Sequence, residues 1–285
     1  MDIRHPLDTR LPEMLRSGRP LRGIFNSLPS AAVVEMCGYA GFDFVLIDNE
    51  HGSAGHETTE NMLRAARASG IVPVVRCLRQ DMARVLDMGA SAVQVPMVES
   101  AAEARDLVQQ VRYPGGGRRG SAFSSRAAGY GAFPGAAHTQ RSNQGIALIV
   151  MIETPEAVEQ AAEIAAVEGV DAVFVGPNDL SHSMGFGSDW KSPVVEAAIE
   201  RAACDLWSRQ LRRNSRADAG RRSQVRSVGG ALFCDRCVER DHPSVATGIE
   251  RRRACWASRR HHILNKLHGL LGLPGRSTRT FSAGR

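Results

Sequence analysis

Four apolar runs in this 285-residue chain each end abruptly in residues that can do chemistry. The first, 44–47, runs into Asp48, Asn49, Glu50 and His51. Residues 72–75 end in Arg76, 146–152 in Glu153 and Thr154, and 172–175 in Gly176, Pro177, Asn178 and Asp179. Two carboxylates on successive strands, Glu153 and Asp179, suit a hard divalent cation. Such an ion takes few protein oxygens and keeps positions for water and substrate. A histidine with an acid nearby suits proton transfer, because the acid fixes its tautomer. An arginine at the same rim can hold a carboxylate or stabilise a developing oxyanion.

Taken singly, each residue has an ordinary reading. Asp179 could cap a helix, His51 could be a hydrogen-bonded rim residue, and Arg76 could be an ion-pair partner. Their joint occurrence at the ends of successive strands weighs against that. Other motifs are weaker. Gly115-Gly116-Gly117-Arg118-Arg119 follows a helix and lacks the Walker pattern, so it reads as a plain loop rather than a phosphate cradle. Cys234 and Cys237 have half a zinc-site spacing but no second pair to complete it. No Gly-x-Ser-x-Gly elbow and no dinucleotide fingerprint occurs.

The elements that would carry these residues alternate. A short helix over 5–18 precedes strands at 21–25, 42–48, 72–76, 92–96, 146–152 and 171–175. Helices are predicted at 29–39, 57–68, 81–88, 100–111, 155–167 and from 193 to about 207. Ser100 with Glu103 three residues on has the form of a capping box. The Gly-, Ser- and Arg-rich stretch 113–145 and the stretch 176–189 are expected to be loops. Six βα units in series argue for an α/β fold with a parallel sheet. Their spacing fits a TIM-type (β/α)8 barrel of about 250 residues. In α/β folds chemistry sits at the carboxyl ends of the strands, where all of these polar groups fall.

Two further units would be needed after residue 208, where the text changes. Residues 1–208 hold 18 Lys+Arg against 25 Asp+Glu, a balance of −7, whereas 209–285 hold 18 against 5, a balance of +13. The whole-chain +6 therefore describes neither part. The expected division is a barrel domain over 1–208, incomplete, and an Arg-rich segment over 209–285. That segment could be a basic nucleic-acid tail or out-of-frame translation. The second is preferred, because the change falls inside an expected helix and local and global signals cease to agree. No run of about 18 apolar residues suggests a membrane span. The six scattered cysteines suggest reduced thiols and a cytoplasmic setting.

At these same residues the chain resembles the HpcH/HpaI aldolases, the class II, pyruvate-dependent aldolases. The matching text is 41–52, Pro73-Val74-Val75-Arg76, Val95-Pro96-Met97-Val98, Arg112-Tyr113-Pro114, Arg118-Arg119-Gly120, Ile152-Glu153-Thr154 and 175–181, in order, within about residues 10–207. The resemblance implies metal-dependent cleavage of a 4-hydroxy-2-oxo acid into pyruvate, or a related 2-oxo acid, and an aldehyde. It implies Glu153 and Asp179 as ligands of magnesium, manganese or cobalt, and Arg76 on the enolate oxygen. It implies His51 paired with Asp48 as the acid/base group, and backbone amides around Gly176, Pro177 and Asn178 as the grip on the substrate carboxylate. It also implies a homo-oligomer; the acidic body and the lack of an apolar span lead to no expected nucleic-acid or membrane partner. The only lysine in 1–208, Lys191, lies far from any strand end, which independently argues against a Schiff-base aldolase. Met151 stands where the family often has glutamine, and Gly115 where proline is common. The alternatives are an inactive, truncated or frameshifted remnant, or a citrate-lyase-like enzyme acting on a CoA thioester; Asp48-Asn49-Glu50-His51 speaks against the latter.

Overall fold

The computed structural model describes residues 5–17 and 21–216, with side chains of the last helix described as far as Cys204. After α1 (Leu11–Arg16) come β1 (Gly23–Asn26), α2 (Ala31–Tyr39), β2 (Phe44–Asp48), α3 (His56–Ser69), β3 (Val72–Arg76), α4 (Met82–Asp87), β4 (Ala92–Val95) and α5 (Ala101–Val111). Then follow α6 (Gly135–Gly145), β5 (Ala147–Ile152), α7 (Pro155–Ile164), β6 (Ala172–Val175), α8 (Pro177–Ser183) and α9 (Pro193–Arg216). The strands form one sheet in the order β1-β2-β3-β4-β5-β6, with every pair parallel.

The sheet is curled into a partial TIM-type barrel. Phe25 of β1 and Phe174 of β6 lie 5.6 Å apart between ring centroids, so the first and last strands in the sheet approach each other across its inner face. Side chains alternate between two separate cores, as the two-residue period of a strand requires. Phe44, Leu46, Val72, Val74, Ala92, Ala147, Ile149, Met151, Ala172 and Phe174 pack together inside, joined by Leu11 and Leu15 of α1. Val45, Ile47, Val75, Val93, Leu148, Val150 and Val173 face outward into a larger core with the helices. Burial on both faces explains why the strands read as continuous apolar runs.

Helix starts follow local chemistry. The hydroxyls of Ser30, Ser100 and Thr154 accept N–H groups of Val33, Glu103 and Ala157, capping α2, α5 and α7. Glu103 reaches back to the N–H of Glu99 at 2.8 Å, one residue before the cap.

Two expected loops contain helices. The stretch 113–145 holds a 3-10 segment, Arg126–Gly131, and α6, whose buried positions are His138, Ser142 and Gly145. A helix that buries polar and small residues carries no apolar period, so nothing in its sequence announced it. The stretch 176–189 opens with α8, which is seven residues long and led by a proline. The expectation of reduced thiols is met at Cys37 and Cys77, which are free and buried. Helix α9 continues through residue 208 to Arg216. The remaining Arg-rich text, with Cys234 and Cys237 and the question of reading frame, lies outside the described residues. Among the described residues no helix is long and apolar enough to cross a membrane.

Gly23 lets β1 lie against the ring of Phe44, where any Cβ would overlap the ring. Gly23→Ala is expected to destabilise the protein by about 1–3 kcal/mol, as overpacking of a filled core does. Urea unfolding monitored by circular dichroism measures it.

Candidate active site

The alternation that sorts the core also builds the site. Counting by twos along β2 from Phe44 and Leu46 reaches Asp48, and along β3 from Val72 and Val74 reaches Arg76. Along β5 from Ile149 and Met151 it reaches Glu153, and along β6 from Phe174 it reaches Gly176. All four therefore stand on the inner face at the carboxyl end of the sheet.

Asp48 and Arg76 are register partners on neighbouring strands. Arg76 grips Asp48 with two prongs, Nε to Oδ1 at 2.9 Å and Nη2 to Oδ2 at 2.8 Å. Asp48 also accepts the Ser27 hydroxyl at 3.2 Å and the backbone N–H groups of Glu50 and His51 at 3.2 and 3.3 Å. Burial alone would push the Asp48 carboxyl up. Arg76 and the two N–H groups outweigh burial and hold it below the usual carboxylate range. The Nε of Arg76 lies 3.3 Å from Glu50 Oε2, and its guanidinium carbon lies 5.3 Å from the centroid of the Phe25 ring. Glu50 is raised, first by burial and then by the charges of Asp48 and Asp179, with Arg76 and His51 pulling the other way.

The expected Asp48–His51 pairing takes a different form. Asp48 binds the backbone of His51, and the ring turns outward with its side chain 63% exposed and Nε2 3.9 Å from Glu50 Oε2. Asp48 is thus spent on Arg76 and on shaping the 48–51 turn. An aspartate followed closely by N–H donors forms such turns readily, and sequence spacing does not separate that role from a bond to the ring.

Among the described residues Glu153 is the least exposed acid, at 1%. It sits between the last residue of β5 and the Thr154 cap of α7, so strand and helix both fix its backbone. Its Oε2 accepts the N–H of Met97 at 2.9 Å, while Oε1 is buried without a hydrogen-bond partner. Burial raises its carboxyl to about 7; the Met97 N–H opposes this, the charges of Asp179 and Glu50 add to it, and Arg76 relieves it in part. Asp179 is half-buried in the first turn of α8.

Among the described residues no three His, Cys, Asp or Glu side chains are arranged as a metal cluster. What the structure offers is a two-carboxylate arrangement with an orphaned buried oxygen, a donor set that fits a hard cation completed by water and substrate. The N–H of Gly176 is used by Ile152 O at 3.0 Å, and Pro177 has none. The first-turn amides of Asn178 and Asp179 have no acceptor within the helix. Sequence reasoning missed Ser27 and Met97. Gln94 of β4 is register partner to Arg76, is buried, and has an unpartnered Nε2. A serine in a loop and a half-exposed methionine carry no chemical signature.

The family model described as HpcH/HpaI aldolase/citrate lyase matches residues 21–206. A 4-hydroxy-2-oxo-heptane-1,7-dioate aldolase of Salmonella arizonae is 40% identical over 198 residues, covering 68% of this chain and 74% of that protein. A hydroxypyruvate/pyruvate aldolase of Delftia acidovorans is 41% identical over 191 residues, covering 66% and 70%. Among solved structures, an HpcH/HpaI aldolase/citrate lyase family protein of Burkholderia cenocepacia superposes with a TM-score of 0.67 at 29% identity, over 88% of this chain and 99% of that one. A citrate synthase superposes with a TM-score of 0.62 at 28% identity, over 86% and 98%.

The raised carboxyl of Glu153 predicts a pH signature in the metal-free protein. The folded state holds this proton up to about pH 7, against an ordinary value of 4.5. Stability from this group is therefore full below pH 4.5 and is lost as pH rises through 7. Glu153→Gln is expected to be more stable than the parent at pH 8, by up to about 3 kcal/mol, and to show no gain at pH 4. Chelator-treated protein unfolded in urea at both values tests this.

Proposed function

Because this chain belongs to the HpcH/HpaI aldolase/citrate lyase family, whose curated relatives are aldolases, we propose that it is a divalent-metal-dependent aldolase that splits 4-hydroxy-2-oxo acids. The products are pyruvate, or a related 2-oxo acid, and an aldehyde. The observation that carries this reading is Glu153, a nearly inaccessible carboxylate with one oxygen unpartnered, coupled to Asp179, Glu50 and Arg76. In this reading the six parallel strands are the first six of a (β/α)8 barrel, with the site at their carboxyl ends. The enzyme acts as a homo-oligomer.

Glu153 and Asp179 would hold the cation, for which magnesium, manganese or cobalt would serve. When bound it supplies Lewis-acid stabilisation to the 2-oxo acid. The substrate carboxylate is received by the amides of Asn178 and Asp179 rather than by Gly176 or Pro177. His51, reached from solvent, takes the proton of the C4 hydroxyl through water. The C3–C4 bond then breaks, the aldehyde leaves, and the electron pair remains on the three-carbon fragment as an enolate. Arg76, aligned by Asp48 and Glu50, places positive charge where that enolate oxygen develops. Return of a proton to C3 gives pyruvate.

A second reading, a citrate-type carbon–carbon lyase or synthase acting on a CoA thioester, draws support from the solved citrate synthase at 28% identity. The two are separated by product. The first predicts pyruvate release from a 4-hydroxy-2-oxo acid that a chelator abolishes and magnesium, manganese or cobalt restores. Thiol release from a CoA thioester without pyruvate release would replace it with the second. No turnover by the folded, metal-supplied protein would leave an inactive relative. Within the first reading, His51→Ala is expected to lower kcat by about 10²–10⁴-fold. The thermal midpoint should not move, since the ring is exposed.

A further inference from the structure

Glu153 is constrained from two sides. Its Oε2 accepts the N–H of Met97 at 2.9 Å. Its Oε1 has no hydrogen-bond partner, and Gly176 lies against it, where a Cβ would overlap Oε1, Cγ and Cδ. Met97 has φ of 55°, one of two non-glycine residues with positive φ among the described residues. That conformation is costly for a residue with a Cβ and persists only where the surroundings impose it. The side chain is 48% exposed, so packing of the thioether does not account for it. Position does. Val95 is paired with Val150 in the ladder, and the N–H of Val98 returns to Met151 O at 3.2 Å. Between these anchors, the left-handed turn at Met97 removes one N–H from the direction of the sheet and aims it at the carboxylate.

We propose that Met97 is a positioning residue. Its backbone N–H fixes Oε2 of Glu153, and the missing side chain of Gly176 leaves Oε1 room to face a divalent cation. This rests on the reading of Glu153 as a metal ligand. The methionine side chain takes no part in it; what matters is the donor and the backbone geometry that presents it. A hydrogen bond of this kind orients a ligand and keeps its charge on the metal side, the usual work of groups behind a metal ligand.

The test uses the full chain and Mn2+ alone, with free ion followed by electron paramagnetic resonance. Replacing residue 97 by the α-hydroxy acid analogue of methionine turns the amide into an ester and removes only the N–H. The Kd for Mn2+ is expected to rise about 10–100-fold, and to rise similarly in Gly176→Ala, where the carboxylate must turn. Met97→Gly keeps the N–H and favours the left-handed backbone, so its Kd should stay at the parent value. An ester variant with parental Kd, or a Met97→Gly variant as weak as the ester, overturns the proposal. A role in folding alone would lower the urea midpoint of the metal-free ester protein and leave the Kd unmoved, which also overturns it. A second arm needs no metal. In 15N-methionine-labelled protein the Met97 amide proton should lie downfield and move upfield in Glu153→Gln; no movement overturns the clamp. If the parent binds no Mn2+, or Glu153→Gln binds it undiminished, the reading of Glu153 as a ligand fails, and this second arm still decides whether the clamp exists.

Discussion

A parallel strand presents every second side chain to the same face, and in a curled sheet that face is an enclosed interior. This single constraint organises the molecule. The odd and even positions of β2, β3 and β5 belong to different cores, one inside the curl and one beneath the helices. The same count that places Leu46, Val74 and Met151 inside also places Asp48, Arg76 and Glu153 there, one step further along. A one-residue slip in register would send all three to the helix side. The apolar runs and the polar ends are therefore one pattern, read first for packing and then for chemistry.

The polar ends create an electrostatic problem that Arg76 partly solves. Asp48, Glu50, Glu153 and Asp179 bring four carboxylates to one rim. Arg76 contacts Asp48 and Glu50 directly and lowers the cost of charge on Glu153 from further away. Its charge is committed mainly to Asp48, which stays ionised, while Glu50 and Glu153 are raised. Acids held together with too little positive charge among them mark a candidate functional site. Asp48 emerges as the residue that aligns Arg76 and shapes the turn carrying Glu50 and His51, rather than as a partner of the imidazole.

Much of this was legible beforehand. Strands β2, β3 and β5 read clearly because burial on both faces leaves long apolar runs with abrupt ends. The cap at Ser100 was legible because a hydroxyl before a helix meets N–H groups that the helix leaves free. Helices α6 and α8 were not, because one buries His138 and Ser142 and the other is too short to show a period. Ser27 and Met97 were not, because their roles lie in where a hydroxyl and a backbone N–H point.

The sequence by itself determined the order of βα units, the apolar interior and the set of acids, arginine and histidine at the strand ends. These are local properties, written in composition and period. Only the tertiary structure decided how they meet: Asp48 turned to Arg76 and not to the His51 ring, Gly176 spending its N–H on Ile152 and its empty Cβ position on Glu153, and Met97 held left-handed behind a buried carboxylate. The physical reason is that hydrogen bonds and steric room depend on direction and distance across strands, and neither is encoded in the spacing of residues along one strand.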